Sequence, residues 1–310
     1  MLKFDKLKVV TSLQNIQIKD ESKFKKILRS DSVSQLIFSV NTPYSLNIKI
    51  DYDRNEAVIE FTGKILGKHY PQLISRETIN ECFNNINRLG ICEIDNAAMM
   101  SAKVVKCDVT NDIQYNDIPQ LSSYIRNNIV NHQKYICRLP KNGNLIIEKN
   151  VMTRQYRKRL TIYDKQKEMS KADNMEYMKL YDIDRLCFEG VCRFELNLNS
   201  QTQIENSLNI ARTTLQEVLS SESSPIQSFV DEILADSDAR PYADKKSYVS
   251  YLILKDCEYD IEKVEARMRG FHPSRGVNIG KVMQPYRDML IHMKNFSDRN
   301  MKQELLERLS

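Results

Sequence analysis

The sequence predicts an α+β protein. A central antiparallel sheet with flanking helices is expected over residues 1–200, and a helical region over residues 201–310. Three observations carry this reading. Segments Lys103–Ile113, Arg159–Lys165 and Arg193–Leu198 alternate apolar and polar residues at the period of two that a strand imposes. Residues 76–89 instead place Ile79, Cys82, Phe83, Ile86 and Leu89 at helical spacing, with Gly90 as a stop. Beyond residue 200 the apolar spacing becomes helical.

Taken in order, residues 1–70 read as strands, with Leu46–Ile50 and Val58–Phe61 flanking a hairpin connection at Asp51–Ala57. The helix at 76–89 is followed by a strand at 103–113 and a helix at 117–132. Lys141-Asn142-Gly143-Asn144 is a turn signal with strands expected on both sides. A strand at 158–165, a polar helix at 166–181 and a strand at 191–198 complete the first region. Helices are then expected at Gln203–Leu219, Pro225–Ala235, Lys245–Phe271 and Val282–Met293. Val249, Leu252, Ile261, Val264 and Met268, and the stripe Met283, Tyr286, Leu290, Met293, read as core contacts rather than as a cofactor site. Ser220–Pro225 and Ser237–Pro241 are linker candidates, and the sequence shows no internal repeat.

Composition narrows the function. A hydrophobic fraction of 41% suffices for a core, and no run approaches the ~18 apolar residues of a membrane span. Seven cysteines without a CxxC pair argue against a disulfide framework or a cysteine zinc site, and suit reduced thiols in a cytoplasmic protein. The four histidines form no HxH, HExxH or HxxxH pattern, and no P-loop string occurs. Between Lys149 and Lys171 stand eight basic and two acidic residues, so the +5 net charge is in effect one local patch. Such a patch suits a polyanion, nucleic acid above all, although a solvated basic loop has the same composition.

The three alternating strands each pair an apolar side with a polar one. Asp108, Thr110 and Asp112 share a side in the first; Arg159, Thr161, Tyr163 and Lys165 in the second; Arg193, Glu195 and Asn197 in the third. A solvent-facing sheet alternates in the same way. Here, however, the polar set is carboxylates, a tyrosine, a lysine and arginines. On a regular strand Asp108 and Asp112 stand on the order of 13 Å apart and cannot share one ion. Asp108 with Glu195 is the better pair, and oxygen ligands of this type favour Mg²⁺ or Mn²⁺. Asp112 would need a bulge or turn to join them, or would have a separate role.

Three motifs in this order, Lys106-Cys107-Asp108-Val109-Thr110, Arg159-Leu160-Thr161-Ile162-Tyr163-Asp164-Lys165 and Cys192-Arg193-Phe194-Glu195-Leu196, resemble strands of a known family. They are similar to those of the rolling-circle replication initiators of filamentous phages (the gene II protein family) and the related Rep_trans-type plasmid initiators. The resemblance covers about a third of the chain, 103–198. It implies a Rep-like or HUH-like catalytic domain lacking the HUH histidines. It further implies Tyr163 as nicking nucleophile, Lys165 as catalytic or phosphate-binding partner, and Asp108, Glu195 and, less directly, Asp112 as metal ligands. Arg154, Arg157, Lys158 and Arg159 would grip DNA, with Arg193 supporting.

A phenol with pKa ~10 is scarcely ionised at pH 7, so a nearby ammonium, Lys165, is expected to favour the phenolate or to stabilise developing charge. In-line attack would give a 5′-phosphotyrosyl link and a free 3′-OH primer. Origin DNA is the implied partner, with a host helicase and polymerase, and a homodimer stays open. Tyr156 is the rival nucleophile. The alternatives are a non-catalytic nucleic-acid binder such as a repressor, a relaxase using the same chemistry, and a scaffold protein. His272-Pro273-Ser274-Arg275 matches the HxxR of tyrosine recombinases, but those enzymes are largely helical and this chain opens with strands.

Overall fold

A computed structural model describes residues 1–29, 32–115, 117–129, 134–140, 143–151, 153, 157–234, 245–271, 278–294 and 301–310, with side chains up to 290 and from 301 on. The chain runs through β1 (Lys3–Ser12), β2 (Ile16–Ile18), β3 (Lys25–Arg29), β4 (Ser32–Val40), β5 (Leu46–Asp51) and β6 (Glu56–Thr62). A 3-10 segment, Gly63–Gln72, leads to α1 (Ile79–Arg88), β7 (Cys92–Ile94) and α2 (Asn96–Met99). Next come β8 (Lys103–Gln114), α3 (Ile118–Asn127), β9 (Tyr135–Arg138), β10 (Leu145–Lys149) and β11 (Arg159–Asp164). Then follow α4 (Lys165–Met169), α5 (Ala172–Leu180), β12 (Val191–Leu198), α6 (Gln201–Leu208), α7 (Leu215–Ser220) and α8 (Pro225–Ile233). The expected α+β class holds: a large antiparallel sheet with helices, and a helical C-terminal region.

Ten strands form one sheet in the order β3-β4-β5-β6-β1-β8-β12-β11-β10-β9, and β2 pairs separately with β7. Every pairing is antiparallel. The order splits into two five-stranded halves that follow the same path. In each half the first strand lies at the centre, the second at the outer edge, and the next three step back inward until the last pairs with the first. This repetition of path has no counterpart in the residue pattern.

Along β1, β6, β8, β12 and β11 one face is apolar, because Leu7 sits between Phe61 and Cys107, and Leu196 between Val109 and Leu160. α1 covers its first half, with Phe83 edge-on to Phe61 at 6.0 Å. α6, α7 and α8 pack on β8 and β12. Asn111, the polar exception on this face, donates from Nδ2 to the Leu309 carbonyl at 3.1 Å. The opposite, polar face is covered too: in β12 every residue but Glu195 is buried. The cover is a second cluster, Tyr70, Leu73, Met169, Tyr177, Met178 and Phe188. Gly67 lets this layer close: at φ +58°, a Cβ there would lie 2.8 Å from the Tyr181 ring.

Several expectations are corrected. Residues 63–70 form the 3-10 segment, not a strand. Lys165 opens α4 and is not part of β11, because Asp164 ends the strand by accepting the Lys167 N–H as a helix cap at 2.9 Å. The expected long helices are each broken, at Ser170 and at residues 209–214 and 257–260; left-handed Asn209, Glu258 and Tyr259 mark the latter two breaks. The Lys141-Asn142 half of the expected turn lies outside the described residues, as do Arg154, Tyr156, Ser237–Pro241 and His272–Arg275. Gly143 and the strands on either side are as expected.

The chain divides into two compact units. The first holds the sheet and runs on to Ile233, with Leu309–Ser310 added; the expected boundary at 200/201 thus falls at 233/234. α6–α8 belong with the strands because their apolar faces are what cover β8 and β12. The second unit, Leu234–Arg308 with Asn127–Val130, contains α9 (Lys245–Asp256), α10 (Ile261–Phe271), α11 (Ile279–Lys294) and α12 (Met301–Arg308). Leu254, Cys257, Val264, Met268, Met283 and Tyr286 form its core. Val249 and Leu252, expected there, are exposed; α9 turns Ser250, Tyr251 and Leu254 inward instead.

Candidate active site

Strand register brings the polar sides of the three motif strands together. Asn197 stands opposite both Asp108 and Arg159, Glu195 opposite Thr110 and Thr161, and Arg193 opposite Asp112 and Tyr163. Directly opposed residues in an antiparallel pair share a face. The alternation read from sequence therefore becomes one polar face, whose middle, around Arg193, Tyr163 and Glu195, lies beneath the aromatic cover while Asp112 and Arg159 are exposed.

The Tyr163 hydroxyl donates to Glu195 Oε1 at 2.5 Å. Glu195 is pushed up to about 7, by burial first and by the negative charge of Asp5 second, with Arg193 opposing. The Tyr163 phenol is pushed well above its usual range by burial and by Glu195. Of the two roles expected for Lys165, favouring a phenolate is opposed by this upward shift, while stabilising developing charge is left open; the phenol is held by a carboxylate that titrates near neutrality. Lys165, itself only 3% exposed, lies 5.7 Å from the Tyr163 ring centroid, but its ammonium donates to the Tyr70 hydroxyl at 2.6 Å. Burial, and Arg193 nearby, bring Lys165 down to about 8. Tyr163 is 8% exposed and so is buried under this cover.

Arg193 is fully buried and cannot touch DNA in this fold. Its guanidinium makes a two-point pair with Asp112, Nε to Oδ1 at 2.6 Å and Nη2 to Oδ2 at 2.7 Å. Nη1 donates to Asp5 Oδ1 at 2.9 Å and to the Tyr70 hydroxyl at 3.3 Å, and stands 4.0 Å from Glu195. Asp112 thus has the separate role the sequence left open: both its oxygens accept from Arg193. Buried charges persist only when paired and hydrogen-bonded, and here Arg193 meets that condition through two carboxylates from different strands.

Asp5 and Tyr70 do not stand out in the sequence as site residues. Asp5 sits at a register shift between Phe4 and Lys6 in β1, and its N–H donates to Thr110 Oγ1 at 3.1 Å. A signal exists for it: buried Phe4 and Leu7 are three apart in a strand otherwise of period two, which is the mark of a bulge. Tyr70 arrives on the 3-10 segment and carries no local signature.

Of the expected DNA-gripping residues, Arg159 is exposed at the start of β11. Arg157 donates to the Val151 carbonyl at 3.1 Å and stands 3.8 Å from Glu148. Lys158 packs its ammonium 5.1 Å from the Phe229 ring centroid, and burial lowers its pKa. These two basic side chains therefore serve the fold at least as much as the surface.

Asp108 accepts a hydrogen bond from Asn197, and its carboxyl is pushed up by burial, with Asp5 adding and Lys106 opposing. Among the described residues, no three His, Cys, Asp or Glu side chains gather into a metal-holding group. Asp108 and Glu195 are oxygen donors of the type a hard divalent cation takes, while Asp112 is held by Arg193. Among known proteins, the chain matches no family model, no curated protein and no solved structure.

Proposed function

We propose that this protein is a DNA-nicking strand transferase of the rolling-circle initiator kind, with Tyr163 as nucleophile in a Rep-like catalytic sheet. The observation that supports this reading is the 2.5 Å hydrogen bond from Tyr163 to Glu195, a carboxylate titrating near 7 beside the cations Lys165 and Arg193. A neutral phenol needs a base, and the best base has a pKa near the working pH. Glu195 takes the Tyr163 proton as the phenol oxygen bonds to phosphorus. The bond from phosphorus to the 3′ oxygen breaks, and that oxygen leaves with a proton from water as the 3′-OH. The product is a 5′-phosphotyrosyl link, which conserves the phosphodiester for rejoining; proton return from Glu195 serves the reverse step.

Lys165 stabilises negative charge developing on the phosphoryl oxygens. Arg193, held by Asp112 and Asp5, positions Glu195 and Tyr70 rather than the substrate. Asp108 would be the carboxylate that holds Mg²⁺ or Mn²⁺, which would polarise a non-bridging phosphate oxygen; Glu195, acting as the base, is left out of that ligand set. Origin DNA is the proposed substrate, with helicase and polymerase supplied by the host.

The burial of Tyr163 favours a second reading, in which the network is a polar core and the basic segment binds nucleic acid without cutting it. Covalent capture separates the two. Wild type with Mn²⁺ and a pool of single-stranded oligonucleotides should yield an adduct stable to denaturation. Tyr163→Phe should eliminate the adduct and leave binding affinity where it was. An adduct surviving in Tyr163→Phe would remove Tyr163 as nucleophile, and no adduct from wild type on any strand would favour the second reading.

A further inference from the structure

One residue beyond Tyr163, at the end of β11, lies a cleft of about 510 Å³. One wall is a stripe of α3 carrying Ile118, Pro119 and Arg126; the other is α4 with Lys167, and beyond its end Lys171. Leu139, about half exposed, and Gly143 close it from the β9–β10 hairpin. Gly143 has φ +84°, and a Cβ there would reach within 3.6 Å of the Lys167 ammonium, so the hairpin approaches that cation closely. The acidic groups in the lining are already engaged: Asp164 caps α4, and Glu168 pairs with Lys171.

The lining thus combines an apolar interior with cations at its walls. The volume falls in the range of roughly 300–1,000 Å³ typical of pockets for small organic ligands, far below what a duplex requires. An unstacked base with its phosphate has this chemistry: an apolar face to bury and an anion to neutralise. We infer that the cleft holds one unstacked nucleotide of a single-stranded DNA segment, its base against Ile118, Pro119 and Leu139 and its phosphate at Arg126 and Lys167. This deepens the strand-transferase reading and rests on it; Asp164, which lines the cleft, follows the proposed nucleophile in β11. It assigns binding to residues outside the basic segment 154–159.

The test uses the full chain carrying Tyr163→Phe, so that binding is read without cleavage. A fluorescein-labelled single-stranded 20-mer of mixed sequence is titrated by anisotropy at several salt concentrations, with the matching duplex in parallel. Lys167→Glu and Arg126→Glu should each weaken single-strand binding on the order of tenfold, and lower the slope of log K against log salt by ~0.7 for each phosphate no longer neutralised. Lys25→Glu, an exposed charge on the β3 edge, should change neither. Leu139→Asp should weaken single-strand binding and leave duplex binding unchanged. The inference is overturned if Lys167→Glu and Arg126→Glu match Lys25→Glu, or if single-strand and duplex binding fall equally. Because adduct formation plays no part in this measurement, failure of the nicking reading and failure of the cleft are separate results.

Discussion

The two halves of the sheet run the same path, yet they use their polar face in opposite ways. In the first half Glu60, opposite Lys8, is bracketed by Lys6 at 2.5 Å and Lys8 at 3.1 Å. Burial raises Glu60, but the two lysines outweigh it and hold the carboxyl below its ordinary value. In the second half Glu195 occupies the same strand of the repeated path and the same face. Its neighbours are a phenol, a guanidinium already committed to Asp112, and the like charge of Asp5, and it rises to about 7. A carboxylate matched with two ammonium groups is an ordinary ion pair. One left undermatched under an aromatic cover titrates near neutrality. The difference comes from stronger burial at Glu195, from the like charge of Asp5, and from cations that there have prior partners.

The largest expected effect tests that commitment. Arg193→Met leaves Asp112 and Asp5 without their buried partner and should cost about 3–5 kcal/mol in urea unfolding, the range for breaking one side of a buried pair. Lys8→Met in the first half should cost less than about 1 kcal/mol, as exposed pairs do. Equal losses would mean that the two halves hold their charges alike.

A second prediction concerns sign. Glu195 titrates at about 7 in the fold against an ordinary value of 4.5, so the folded chain holds the extra proton between those values. Its contribution is fully present below about pH 4.5 and is lost as pH rises through about 7. Glu195→Gln should therefore gain stability over wild type across that interval. Glu60 is depressed, so its contribution is present above pH 4.5 and is lost on acidification. Glu60→Gln should be slightly less stable than wild type at pH 7, by under about 1 kcal/mol. Two variants moving in the same direction at pH 7 would end the comparison.

The smallest expected effect is on the pH dependence of strand capture. Adduct yield should rise through about pH 7 as Glu195 deprotonates and fall through about pH 8 as Lys165 loses its proton. Glu195→Gln should remove the rising limb, and Lys165→Arg should move the falling limb upward. A profile flat from pH 6 to 9 would show that neither group sets the rate.

Much of this face is legible in the sequence. A strand has period two, so counting alone places Asp108, Glu195 and Tyr163 on polar sides, and strand pairing makes those sides one. What counting cannot supply is which surface is covered. The polar alternation of β12 suits solvent, but Tyr70 and Tyr177 are brought over it by segments distant in the chain. Arg193 reads as a surface cation because arginine is seldom fully buried, and only the pairing with Asp112 and Asp5 reverses that. The helix breaks escape for a related reason: Asn209, Glu258 and Tyr259 adopt left-handed backbone that glycine usually provides.

The place of β1 at the middle of the ten strands has a consequence for how the chain is made. On a ribosome the first half can close once Thr62 has emerged, pairing β1 with β6. The other edge of β1 then waits for β8, complete only at Gln114. At ~5–20 residues per second this is an interval of roughly 3–10 s, during which a nascent strand edge stands open to any passing extended peptide. Lys3, Lys6 and Lys8 along that edge are the charges that would discourage such adhesion until the rightful neighbour arrives.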